Sequence, residues 1–260
     1  MDGVVVADAL NIISRDGGAF ASRWAHVVVG IMWIGLLYYF NFVQVPAFAE
    51  MDPAARNNAT DKLAWRALWW FRWAAVATVV TGLLILLFQR YSSDDPQLID
   101  GDYWKSVFGQ SIATGIFLAL IMFLNVWGVI WRKQQIVIAN ARNVQAGGEA
   151  DPEAAAAGRR ALLASRMNTI FSLPMLVFMV GTSHFPYDTD AVAPTGSSRA
   201  IFWIIWVIVW AVLELAALGY LGGFAPGGPR AIFDTHKNAL WAGFIYAAFA
   251  LLLFTFVIKS

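Results

Sequence analysis

The 260 residues contain no cysteine, which excludes disulfides, thiolate metal sites, iron–sulfur clusters and the covalent C-x-x-C-H attachment of c-type haem. Any prosthetic group must therefore be held non-covalently. Charge is also scarce, at 13% of residues, the formal net charge is only +1, and no basic tract exceeds a pair, so a nucleic-acid partner is not expected. The first 23 residues lack a charged start followed by a long apolar core, and so do not read as a signal peptide. GGFAPGGPR, from Gly222 to Arg230, lacks phosphate-loop spacing and reads as a tight turn. No internal repeat is evident.

What the chain has instead is apolar surface: 59% of its residues are hydrophobic, with 13 Trp and 19 Phe, more than a soluble fold of this length hides. About 20 apolar residues cross a hydrocarbon core of roughly 30 Å. That rule gives six spans, at Trp24–Ala47, Trp69–Phe88, Ser106–Trp131, Ala161–His184, Ser198–Tyr220 and Thr235–Ile258. Backbone polar groups cannot stay unpaired in lipid, so the spans must be helices. The expected fold is an all-α polytopic membrane bundle of about six transmembrane helices (24–260). A short interfacial helix at Val4–Ile13, ended near Gly17 and Gly18, occupies the segment 1–23. The one low-complexity stretch, Ala146 to Gly158, reads as a flexible or partly helical loop.

Lys and Arg set the orientation. Loops after spans one, three and five, with their adjoining helix ends, hold twelve of them, and the opposite side holds six. Both termini are therefore expected outside the cytoplasm. Nine acidic residues share that outer side, which suits a basic soluble partner.

An ionisable group at membrane depth is costly and functional by default. His26 begins the first span and His184 ends the fourth, so both are expected near the outer face, while His236 begins the sixth at the inner face. Two histidines on different helices at one level can ligate a b-type haem. Gly30, one turn from His26, thins that helix face, and Trp33 continues it. The plainer reading makes both histidines headgroup-wetted interfacial residues.

Span four carries Arg166, Asn168, Thr169 and Ser172 ahead of Pro174, which removes a backbone hydrogen bond. Asn41, Gln44, Asn125 and Glu214 fall at similar depth, with His236 and Asn238 beneath, so these residues can line a polar inner pocket for a small substrate, a quinone headgroup or a proton route. Ordinary interhelical hydrogen bonding also accounts for the amides. Glu214 must be neutral or paired, with Arg166 or His236 as the expected partner. Trp65, Trp69, Trp70 and Trp73, with Arg66 and Arg72, read as an interfacial anchor.

HVVVGIMWIGLLYYFNFVQVPAF in the first span and RMNTIFSLPMLVFMVGTSHFP in the fourth resemble the bacterial membrane-bound urate hydroxylase family, whose membrane part is the urate oxidase N-terminal domain. The resemblance implies a multi-helix inner-membrane domain that oxidises urate and passes electrons to a c-type cytochrome domain fused at its C-terminus. This sequence has no C-x-x-C-H and six spans where longer members have about eight. The electron acceptor expected here is a separate soluble cytochrome c. Two other classes remain open: a cofactor-free accessory subunit of a larger respiratory or photosynthetic complex, and a small-solute transporter.

Overall fold

The computed structural model describes residues 15–92, 101–185 and 193–258. Among them every regular element is helical, and six helices are long and apolar enough to cross a membrane: Gly17–Glu50, Pro53–Phe88, Val107–Gln145, Ala154–His184, Gly196–Ala217 and His236–Ile258. The short helix expected at Val4–Ile13 lies outside the described residues.

The spans differ from the sequence expectation mainly at their ends. Helix α1 (Arg15–Tyr38) runs straight through Gly17 and Gly18, which do not end a helix. Gly18 is there for proximity: a Cβ on it would lie 2.7 Å from the Phe88 ring. The first span continues through a π-helical turn (Tyr39–Gln44) into α2 (Val45–Glu50). Asp52 caps α3 (Pro53–Ala59) by accepting from the Ala54 and Ala55 N–H groups. A second π turn (Thr60–Ala64) then leads into α4 (Trp65–Ser92).

A short helix, α5 (Gly101–Lys105), precedes α6 (Val107–Asn125), which Ser106 caps through the Gly109 N–H. A third π turn (Val126–Ile130) joins α6 to α7 (Trp131–Gln145), so this helix passes well beyond the polar stretch at Trp131 where hydropathy alone ends it. The two remaining long spans of the central group are α8 (Ala154–His184) and α9 (Gly196–Ala217). The loop after α9 turns on glycines with positive φ, including Gly227 at 92°, as expected of a tight turn. A 3-10 turn (Gly228–Phe233) leads to α10 (His236–Leu253), which ends in a fourth π turn (Phe254–Ile258).

Helix α8 is the core of the bundle: 67% of its apolar window is buried, against 22–33% for the other five spans. It packs on α6, α7, α9 and α10, while α1 lies mainly along α4. Small residues allow the close approaches. A Cβ on Gly115 would lie 3.2 Å from Met179 Cγ, and one on Gly243 would lie 3.2 Å from the Ile170 carbonyl oxygen. Ile170 is four residues before Pro174, so its carbonyl is the one that proline deprives of an N–H partner. The backbone of α10 closes over it.

Between α8, α9 and α10 an aromatic core forms. Trp206 stacks on Tyr246 at 5.0 Å and 15°, and Phe202 meets Phe254 edge-on at 5.5 Å. The outward side chains, among them Ile31, Trp241, Ile245 and Phe256, are exposed apolar groups suited to acyl chains. Trp69, Trp70 and Trp73 are exposed, as an interfacial anchor requires. Arg72 instead turns inward, with its guanidinium 3.7 Å from the Trp131 ring centroid and 5.8 Å from those of Trp65 and Trp127.

Candidate functional site

The polar residues expected in one inner pocket separate into three groups. The first is a buried network across three spans. Asn125 Nδ2 on α6 donates to Asn168 Oδ1 on α8 at 3.0 Å and to Glu214 Oε2 on α9 at 3.2 Å. Asn168 Nδ2 in turn donates to the Met122 carbonyl at 3.0 Å. Asn125, Asn168 and Glu214 are all buried. The carboxyl group of Glu214 thus meets an amide rather than the cation expected for it, and no ion pair among the described residues includes it. Neither Arg166 nor His236 hydrogen-bonds it.

The second group explains where Arg166 goes. Its Nη1 donates to the Asp234 carbonyl at 2.6 Å and to that of Phe233, fastening the loop ahead of α10 to the core helix. Arg159, two turns earlier, pairs with Asp234 Oδ1 at 3.0 Å, and Asp234 Oδ2 accepts from the Gly227 N–H at 2.7 Å. Burial opposes ionisation of Asp234, but the Gly227 N–H and the Arg159 guanidinium outweigh it and hold the carboxyl below its ordinary range. Arg230 donates to the Gly223 and Ala225 carbonyls. His236 is half-buried beside Phe42, ring centroids 6.0 Å apart, and Asn238 Nδ2 donates to the Ala231 carbonyl at 2.7 Å. Asn238 thus belongs to the loop anchor, whereas His236 packs on the first span.

The third group is a cleft of about 160 Å³ between the first four spans. Its walls are Phe40, Gln44 and Val45, then Leu68 and Phe71, then Ile130 and Gln134, and finally Gly158, Ala161, Leu162 and Ser165 of α8. Asn41 stands behind it, with Nδ2 donating to Ser165 Oγ at 2.8 Å and to the Leu37 carbonyl at 2.9 Å. Nearby, Tyr38 Oη and Ser172 Oγ lie 2.8 Å apart.

The histidines lie elsewhere. His26 is half-buried against α4, with Nδ1 3.1 Å from Thr81 Oγ1 and its Cε1 over Gly82. His184 is exposed, with Nδ1 2.9 Å from the Val180 carbonyl of its own helix. Each ring is held through Nδ1, which leaves Nε2 as the atom available to a metal, the usual way a protein orients an imidazole ligand. Each position thus offers an imidazole nitrogen, the donor type a haem iron takes. No hydrogen bond or ring contact among the described residues joins His26 to His184. A Cβ on Gly30 would meet nothing within 4 Å, so that face is open, whereas Trp33 is fully buried in the core.

Sequence reasoning found the residues of the first network but missed Thr81, Gly82, Gln134 and Ser165. A Thr-Gly pair inside an otherwise apolar span was the available signal for the His26 seat.

The buried network draws one residue from each of the third, fourth and fifth spans, and it is this part of the chain that has a known counterpart. Residues 105–217 match the Urate oxidase N-terminal family. The urate oxidase N-terminal segment takes in those three spans whole and, with them, Asn125, Arg166, Asn168, His184 and Glu214. His26 and the cleft walls from the first two spans lie outside it. No curated protein and no solved structure matches the chain.

Proposed function

We propose that the protein is an inner-membrane oxidoreductase of the urate hydroxylase type. The observation that carries this reading is that the matched segment coincides with the three spans holding the Asn125–Asn168–Glu214 network. Oxidising an N–H heterocycle such as urate by two electrons also releases protons. Glu214 is the buried carboxyl group among the described residues of that segment, which suits it to take up a proton once the Asn125 amide has fixed its orientation.

His26 and His184 would hold a b-type haem through Nε2, supplying a one-electron relay between substrate and acceptor. The basic ends of the spans face the cytoplasm in this reading, and the acidic outer face receives a soluble c-type cytochrome. His236, held beside Phe42 of the first span, takes no part in ligation.

The test is the absorption spectrum of protein purified after haem-replete expression, together with urate consumption by membranes given oxidised cytochrome c. A low-spin Soret band lost in His26→Ala and in His184→Ala, and kept in His236→Ala, is the expected result. A wild-type protein with no Soret band rejects the haem. Absence of urate consumption as well favours a cofactor-free accessory subunit.

A further inference from the structure

Two arginines approach the indole of Trp65, and they differ in how their charge is met. Arg142 lies 5.3 Å from the ring centroid and has a carboxylate, with Nε 2.5 Å from Asp61 Oδ1. Arg72, 5.8 Å from the same ring, has none: no ion pair among the described residues includes it, and its buried Nε has no hydrogen-bond partner. Its guanidinium lies over Trp131, 3.7 Å from the ring centroid. Stacking uses the flat face of the group and leaves the N–H fork, which lies in its plane, free for an acceptor.

Cation–π contact offsets only part of the cost of a cation at this depth. The missing partner is an anion, because the unmet capacity at this corner consists of donors alone. Trp127, whose ring centroid is 5.8 Å from the guanidinium, also has a buried indole Nε1 without a partner, and an indole nitrogen, like a guanidinium, can only donate. Neither group can be turned to present an acceptor. The exposed Trp69, Trp70 and Trp73 flank Arg72 in the chain and set this level at the lipid headgroups, and Arg72 is only half-buried, so part of it stays within their reach. Arg66 and Arg132, exposed and next in sequence to Trp65 and Trp131, add positive charge that no ion pair among the described residues neutralises.

We propose that this corner, between the second span and the end of the third, binds the phosphate of one anionic phospholipid, with the Arg72 fork donating to its oxygens. A phosphodiester accepts two N–H bonds side by side, which is the match a guanidinium makes. Zwitterionic lipids bring an ammonium group into basic surroundings and are disfavoured, whereas basic pockets between helices at the membrane boundary take anionic headgroups. Free phosphate shares the headgroup chemistry but lacks the chains that hold a lipid in place. The site does not rest on the urate reading.

The experiment is native mass spectrometry of the full chain, delipidated in a neutral maltoside detergent and titrated with phosphatidylglycerol, phosphatidylcholine or inorganic phosphate. One phosphatidylglycerol should be retained in preference to phosphatidylcholine, and inorganic phosphate should not displace it. Arg72→Gln should weaken that binding about tenfold, as loss of a charge-assisted contact does, whereas Arg23→Gln, which removes an exposed charge on α1, should leave it unchanged. Should Arg72→Gln fail to fold, Arg72→Lys, which keeps the charge and loses the fork, should weaken it about threefold or more. Unchanged binding in the folded Arg72 variant, or an equal loss in Arg23→Gln, overturns the site. Equal retention of phosphatidylcholine overturns selection by headgroup charge. Displacement of the lipid by inorganic phosphate assigns the fork to a free anion and overturns the lipid.

Discussion

The His26 ring lies over Gly82, close enough that a Cβ on that glycine would come within 3.2 Å of His26 Cε1. The hydrogen-bonding partner Thr81 is the preceding residue, so α4 presents a flat, polar-edged seat for one imidazole. The seat fixes which ring nitrogen faces outward.

Gly82→Val should therefore displace the ring and strain the α1–α4 contact. Overpacking of this kind costs about 1–3 kcal/mol. A melting temperature lowered in detergent, with a smaller drop for Gly82→Ala, is the expected measurement. If His26 ligates haem, the same substitution also perturbs the low-spin spectrum.

Glu214→Gln preserves the size of the side chain and can still accept from Asn125, so the fold should survive with stability close to wild type. Proton uptake would be lost, and urate consumption should fall by about 10²–10⁴-fold if the carboxyl group acts as general base. Unchanged activity across the pH range would confine Glu214 to a structural role.

Asn125→Leu leaves Asn168 Oδ1 and Glu214 Oε2 without their shared donor. An unsatisfied buried acceptor costs about 1–3 kcal/mol, so Asn125→Leu should destabilise the bundle measurably, as read by thermal unfolding in detergent. A double-mutant cycle with Glu214→Leu should show strong coupling, because the two side chains act through one hydrogen bond.

Asp234 lies outside the spans and links the Arg159 guanidinium to the Gly227 N–H. Its folded carboxyl titrates below the ordinary value of 3.8, so its contribution is present above that pH and is lost as the pH falls further through the folded value. Acidification below about pH 4 should loosen the 222–235 loop first, seen as faster proteolysis there, and Asp234→Asn should loosen it at every pH.

Topology offers an independent check. The sequence assigns twelve Lys and Arg to the loops and helix ends on one side of the spans and six to the other, so a reporter fused after Ser260 should be active in the periplasm. Activity confined to the cytoplasm would invert the assignment and remove the outer cytochrome face.

Much of this architecture is legible in the sequence because lipid imposes a simple rule: long apolar runs become helices. All six spans follow from it. Their ends do not, since helices such as Val107–Gln145 outlast the hydrocarbon thickness, and hydropathy is silent once the chain reaches headgroups and water. Within the site, depth placed Asn125, Asn168 and Glu214 at one level together with Asn41, Gln44 and Arg166, and only the first three meet. Depth says nothing about azimuth. Arg166, two residues from Asn168, faces the Phe233 and Asp234 carbonyls, and Asn41 faces Ser165, because adjacent positions on a helix point about 100° apart. Assigning Glu214 a cationic partner required an azimuth that hydropathy does not carry.

The π-helical turns set a rule for how this chain tolerates length change. Each wide turn fits in one more residue than an α-helical turn would, so deleting a residue within Tyr39–Gln44 lets the segment relax into ordinary α-helix without breaking the span. The flanking helices would keep their faces, while Asn41 would turn away from Ser165 and Gln44 would lose its place in the cleft wall. A single-codon deletion there is expected to yield a protein that inserts and folds yet has lost the Asn41–Ser165 hydrogen bond, whereas the same deletion in the middle of α8 would rotate one half of the core helix against all its neighbours.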